Sequence, residues 1–255
     1  MNRRFTVAVA IGGVGVVGLA TGLSMLLRSN TPGQHISVHV PQAGVVVTPS
    51  PTDAPTPTPV PTPAWKAGTP LPRTLQNIDL HAPYGAVPLH FSAPTVGIDV
   101  GMIGVGLTKT NNVDAPEGPR TSPLWDLGFW YRGGAEPGQP GVLAVAGHVD
   151  RVGGAAAAFA PLHNLKPGDV VLVTDQRSGV AYRYRITEAS SYTLKQVEDP
   201  ALLDRIYGHD VAGGQPPSVP ADLTARISVI TCIGTWTGAQ YDHRFVAFGD
   251  LIGTE

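Results

Sequence analysis

The chain has a single cysteine, Cys232, in 255 residues. One cysteine excludes an internal disulfide framework and every Cys-x-x-Cys metal motif. The sequence also lacks His-Glu-x-x-His spacing and any acidic cluster of calcium-loop spacing, so it implies no metal and no cofactor. Charge is scarce too. Charged residues make up 14% and the formal net charge is -2, with no basic stripe, so there is no electrostatic footprint for nucleic acid. Helical periodicity is sparse and no internal repeat is found, which argues against a bundle or a solenoid.

What is present is unevenly distributed. Phe5 to Leu27 carries no charge and follows Arg3 and Arg4. That run exceeds the roughly 7–15 apolar residues of a signal-peptide core and suits a hydrocarbon core about 30 Å thick. Arg28-Ser29-Asn30 follows it without a small-x-small cleavage site. The reading is a cytoplasmic tail at 1–4 and an uncleaved transmembrane signal anchor at 5–27, with the rest of the chain outside the cytoplasm. Residues 28–72 read as a linker, with proline at nearly every second position from Pro49 to Pro63. Proline lacks a backbone donor and fixes φ, so this stretch is expected to be an extended stalk. At about 3.1 Å per residue it reaches on the order of 100 Å.

From about Arg73 the composition becomes globular. Short apolar runs recur between turn signals, at 95–100, 142–146, 170–174, 181–186, 226–231 and 244–252. Tyr182, Tyr184 and Ile186 alternate with Arg183 and Arg185, the pattern of a half-buried strand. Lys166-Pro167-Gly168-Asp169 reads as a turn into a strand. Helices are expected only at about 199–207 and, briefly, at 155–162. Many short strands with few helices indicate an all-β closed barrel or sandwich.

The chemistry-bearing residues sit at strand ends. Ala146-Gly147-His148-Val149-Asp150 closes one apolar run, and Cys232 closes the run from Ile227 to Thr231. Gly234-Thr235-Trp236-Thr237-Gly238 forms a loop, and Arg244 opens the last strand. If the strands flanking that loop pair antiparallel, Cys232 and Arg244 face each other. A thiol with a pKa of about 8.5 is mostly protonated at neutral pH, and the thiolate is the nucleophile. An imidazole moves the proton, and a guanidinium stabilises developing negative charge. Spacing alone leaves two readings open: an acyl-transfer site of His148, Cys232 and Arg244, or an inert buried thiol. A metal site of Cys232, His148 and His243 has no supporting spacing.

These residues resemble a known family. Ser228-Val229-Ile230-Thr231-Cys232 is similar to the Thr-Leu-x-Thr-Cys signature of sortases, with Ser228 and Val229 as conservative departures. Gly147-His148-Val149-Asp150 resembles the family's histidine motif, and Arg244 falls where its arginine does. The resemblance covers about 94–253 and includes Trp130-Tyr131, Gly133-Gly134 and Leu165 to Asp169. It is closest to class F sortases of high-G+C Gram-positive bacteria, whose pattern class E shares. The resemblance implies an eight-stranded β-barrel cysteine transpeptidase with a catalytic domain at 94–255, cutting a Leu-Pro-x-Thr-Gly-like motif between Thr and Gly. Cys232 would form the thioacyl-enzyme, His148 would protonate the leaving amine, and Arg244 would position substrate and stabilise the oxyanion. Its implied partners are surface proteins bearing sorting signals and a cell-wall or pilin amine. Thr231, Asp150 and Trp236 are the candidate substrate contacts. A peptidase that only hydrolyses and a stalked binding module without thiol chemistry are the competing functions.

His35, His39, His81, His90, His163 and His209 are assigned no chemistry, and His243 reads as a surface or packing residue. The loop at 213–220 borders the groove or is a plain insertion. Residues 73–93 hold Leu75, Ile78, Leu80, Tyr84, Val87, Leu89 and Phe91, too much apolar surface for free linker. They are expected to pack against the barrel, as a lid across its active-site side.

Overall fold

Eight strands close into one barrel in the order β1-β2-β3-β4-β7-β8-β6-β5. They are β1 (Gly85–Ala93), β2 (Ile98–Val105), β3 (Gly128–Tyr131), β4 (Gly141–Ala146), β5 (Val170–Asp175), β6 (Val180–Thr193), β7 (Ala225–Trp236) and β8 (Tyr241–Thr254). Two short helices, α1 (Leu194–Val197) and α2 (Pro200–Tyr207), lie between β6 and β7. This computed structural model describes residues 64–75, 79–108, 113–209 and 218–255. The expected anchor at 5–27 and most of the stalk lie outside the described residues. Among the described residues, no helix is long and apolar enough to cross a membrane.

Alternation drives closure. Along β1 every second residue from Val87 to Ala93 is buried, and Tyr184 and Ile186 do the same in β6. These rows meet Leu143, Val145, Ile227, Val229, Phe245 and Ala247 in one core. Each large apolar side chain buried there contributes about 1.5–3 kcal/mol. Closure leaves no free sheet edge. Six of the eight neighbour pairs are antiparallel, whereas β2–β3 and β4–β7 are parallel. The β4–β7 pair matters most, because its two strands end on the same side of the barrel.

Two expectations need correction. The segment 85–93 is not an accessory piece before a domain at 94: it is β1, hydrogen-bonded to both β2 and β5. Its period-2 burial is the signal that the sequence reading passed over. Nor does all of the described preceding chain lie on the active-site side: Leu80 packs with Val113, Tyr131, Ala144 and Tyr207, but residues 73–75 dock elsewhere. Arg73 donates to the carbonyls of Arg132, Gly133 and Gly134, and Glu136 accepts from the amides of Thr74 and Leu75. That loop precedes Gly141, so the strap docks where β4 begins, not where it ends. The docking starts within the expected stalk, since Leu71 is buried with Ala135 and Val219 against Trp65. Val219, at the end of the loop read as bordering the groove or as a plain insertion, packs at this same far end.

The short helix expected at 155–162 is also absent as such. A 3-10 turn runs from Ala160 to Asn164. The preceding amides are already engaged: Ala157 donates to Val149 and Phe159 donates to His148.

Candidate active site

The parallel β4–β7 register places Ala146 beside Ile230. His148 lies two residues beyond Ala146 and Cys232 two beyond Ile230, so the imidazole and the thiol leave neighbouring strands at the same level. In the antiparallel β7–β8 ladder, Cys232 is directly opposite Arg244. Directly opposed residues share a face. The row Ser228, Ile230, Cys232 is the outer row of β7, because Ile227 and Val229 fill the core. The site is therefore on the outside of the barrel wall, next to α2.

His148, Cys232 and Arg244 all line one hollow of about 520 Å³. Small residues make its floor, with Ala144 and Ala146 on β4, and Val113, Leu203 and Tyr207 stand around it. Its size and apolar lining suit a peptide segment rather than an ion. Among the described residues, no group of three His, Cys, Asp or Glu side chains converges to hold a metal.

Backbone and hydroxyl contacts hold the two strand ends together. Thr231 Oγ1 donates to the Gly147 carbonyl at 2.9 Å, and the Gly147 amide donates to the Ile230 carbonyl at 3.1 Å. A side chain at 147 has no room, since a Cβ there would stand 2.1 Å from the Phe159 ring. The His148 ring is flanked by Trp125 at 4.7 Å and Phe129 at 5.1 Å between ring centres.

The thiol is free and half-buried. Burial pushes it above its ordinary value; Arg244 pulls it back, while Asp150 and Glu117 push it further up. Thiol rather than thiolate is thus the resting form near neutral pH. Arg244 Nη1 donates to the carbonyls of Tyr241 at 2.9 Å and His243 at 3.0 Å. That anchors one corner of the guanidinium, and its Nε and Nη2 make no hydrogen bond among the described residues. Those donors are the ones available to a substrate oxygen.

The remaining sequence candidates are distributed around this centre. Thr231 is 3% exposed with its hydroxyl committed to Gly147. The Asp150 carboxylate accepts from the Tyr241 hydroxyl at 2.8 Å, which links the loop after β4 to the start of β8. That hydrogen bond is the first cause of the raised Tyr241 hydroxyl pKa. Trp236 is 55% exposed at the end of β7 and meets Tyr241 edge-on at 5.4 Å. His243 pairs with Asp242 at 2.8 Å. Sequence reasoning missed Trp125, Phe129, Glu117 and Tyr241. No spacing rule points to them, because the long β2–β3 connection brings in Glu117 and Trp125, pairing of β3 with β4 brings in Phe129, and the β7–β8 hairpin brings in Tyr241. The helix containing Leu203 and Tyr207 was legible as a helix but not as a wall of the site.

The sortase domain model matches residues 100–252. No curated protein matches the chain. Similar solved structures include sortase A from Listeria monocytogenes, at 24% identity over 67% of this chain and 90% of that one, with a TM-score of 0.43. A sortase from Actinomyces oris is 17% identical over 72% of this chain and 87% of that one, with a TM-score of 0.48. Sortase A from Corynebacterium diphtheriae, as a lid mutant, is 17% identical over 69% and 75%, with a TM-score of 0.45. The matched domain spans β2 to β8 and contains His148, Cys232 and Arg244. The chain belongs to the sortase family of cysteine transpeptidases.

Proposed function

We propose that this chain is held in the membrane by residues 5–27, with its barrel outside the cytoplasm on a proline-rich stalk. There it joins surface proteins to a cell-wall or pilin amine, as a class F type of sortase. The substrate is a Leu-Pro-x-Thr-Gly-like sorting motif, cut between Thr and Gly. The carrying observation is the common level of His148 and Cys232 on parallel strands, with Arg244 opposite the thiol over one hollow.

The steps follow from the groups present. Cys232 Sγ, as thiolate, attacks the threonine carbonyl carbon, and an S–C bond forms. Negative charge moves to the carbonyl oxygen, where the unengaged Arg244 donors stabilise it. The C–N bond to glycine breaks as protonated His148 gives its proton to the departing amine. An acceptor amine then attacks the thioester, loses a proton to His148, and releases Cys232 as the C–S bond breaks. Because burial keeps the resting thiol protonated, its proton passes to His148 as the thiolate forms, and that transfer is part of the barrier rather than a standing state.

Product analysis with a sorting peptide and triglycine tests this reading. The expected product is the peptide joined through its threonine to triglycine. Hydrolysed peptide as the sole product rejects transpeptidation and leaves a thiol peptidase; no cleavage at all favours a stalked binding module.

A further inference from the structure

The surroundings of His148 carry more than a packing role. Its Nε2 lies 3.1 Å from the Pro116 carbonyl. A carbonyl only accepts, so Nε2 must carry a hydrogen. The ring also lies against Trp125, which is itself fixed at two points. The indole Nε1–H donates to the Pro119 carbonyl at 2.8 Å. Its backbone carbonyl accepts from the Ala158 amide at 3.1 Å, and the next amide, Phe159, donates to the His148 carbonyl at 3.1 Å. One dipeptide thus holds the backbones of both ring-bearing residues. Trp125 sits in a 3-10 turn capped by the Ser122 side chain, and the adjoining Asp126 is paired with Arg151 in the loop after His148.

We propose that Trp125 is a positioning residue for His148. Together with the Pro116 carbonyl it holds the neutral ring as the Nε2–H tautomer, leaving Nδ1 as the nitrogen that gains and loses the proton. Trp125 blocks rotation of the imidazole about its χ2 axis, which would put Cε1 in place of Nε2 at the carbonyl and lose the hydrogen bond that fixes the tautomer. Trp125 touches no reacting atom and acts only through His148. The kinetic part of this proposal rests on the role of His148 proposed above; the tautomer does not.

The test is nitrogen NMR of the full chain carrying ¹⁵N-histidine, with the His148 signals assigned from a His148→Gln variant. At a pH where the ring is neutral, the expected signals are pyrrole-type Nε2 and pyridine-type Nδ1. Trp125→Phe keeps a ring face and this pattern. Trp125→Ala mixes the tautomers and lowers kcat by about 10–100-fold, with KM changed less than about two-fold. Leu165→Ala, a core truncation away from the site, controls for lost stability and leaves the tautomer intact. A wild-type ring with its hydrogen on Nδ1 overturns the proposal. So does a folded Trp125→Ala with unchanged tautomer and kcat. If Trp125→Ala does not fold, Trp125→Leu replaces it, with the same two outcomes. The expected tautomer alongside full activity in His148→Ala would sink the catalytic role and leave the positioning intact.

Discussion

The Thr231 hydroxyl donates to the Gly147 carbonyl at 2.9 Å, joining the residue before the thiol to the residue before the imidazole. With the Gly147 amide to Ile230 carbonyl bond, it clamps the ends of β4 and β7 in the arrangement the chemistry needs. Thr231→Val keeps the volume and removes the donor, leaving a carbonyl without its partner. Stability should fall by about 1–3 kcal/mol and kcat should fall with it, whereas Thr231→Ser retains both. Chemical denaturation and steady-state kinetics check this, and an unchanged valine variant would remove the clamp from the account.

The charges around Cys232 make a signed prediction. Asp150 and Glu117 push its thiol up and Arg244 pulls it down, on top of the dominant effect of burial. Glu117→Gln and Asp150→Asn therefore move thiolate formation to lower pH and speed alkylation by iodoacetamide at neutral pH. Arg244→Gln moves it to higher pH and slows alkylation. Arg244→Gln should also cost about 10²–10³ in kcat, as expected for loss of an oxyanion donor. The pH dependence of the alkylation rate decides, and a shift of opposite sign in any variant contradicts the assigned field.

Gly147 is required for space. A Cβ there would stand 2.1 Å from Phe159 Cδ2, and Phe159 is fully buried. Gly147→Ala should cost about 1–3 kcal/mol through overpacking. Adding Phe159→Leu should recover part of that loss, and a double-mutant cycle measures the coupling. Additive losses would show that the two residues do not compete for the same volume.

The docking of Thr74 and Leu75 on Glu136 should affect stability but not turnover. Glu136 accepts from the Thr74 amide at 2.6 Å and the Leu75 amide at 2.9 Å, at the barrel end opposite His148. Glu136→Gln should speed hydrogen exchange at Thr74 and Leu75. Turnover should stay within about two-fold, since no reacting group is touched. A large fall in kcat would mean that the strap communicates with the site.

Much of this architecture was legible in the sequence where burial left a periodic trace. The runs ending at Ala146 and Thr231 are continuous and apolar because β4 and β7 are interior strands of a closed wall, and their ends carry His148 and Cys232. Arg244 was legible because a hairpin after Cys232 forces an opposite partner. β1 was missed although Val87, Leu89 and Phe91 alternate, because its proline-interrupted approach obscured where the barrel begins. The contacts of His148 were not legible at all. Pro116 and Trp125 reach it from a long connection whose path depends on tertiary packing rather than local periodicity. Asp150 shows the same limit: the family resemblance offered it as a substrate contact, and nothing in its spacing pointed to its hydrogen bond with Tyr241, ninety-one positions later in the chain.

The central claim is that Cys232 forms a thioacyl intermediate with a sorting peptide. Intact-protein mass spectrometry of the full chain, incubated with a library of Leu-Pro-x-Thr-Gly-like peptides, tests it most directly. The account predicts an adduct equal in mass to the peptide portion ending at threonine, mapped to Cys232 and absent from Cys232→Ala. A Cys232→Ala variant that still processed the peptide, or cleavage by the wild type with an adduct on another residue, would contradict it.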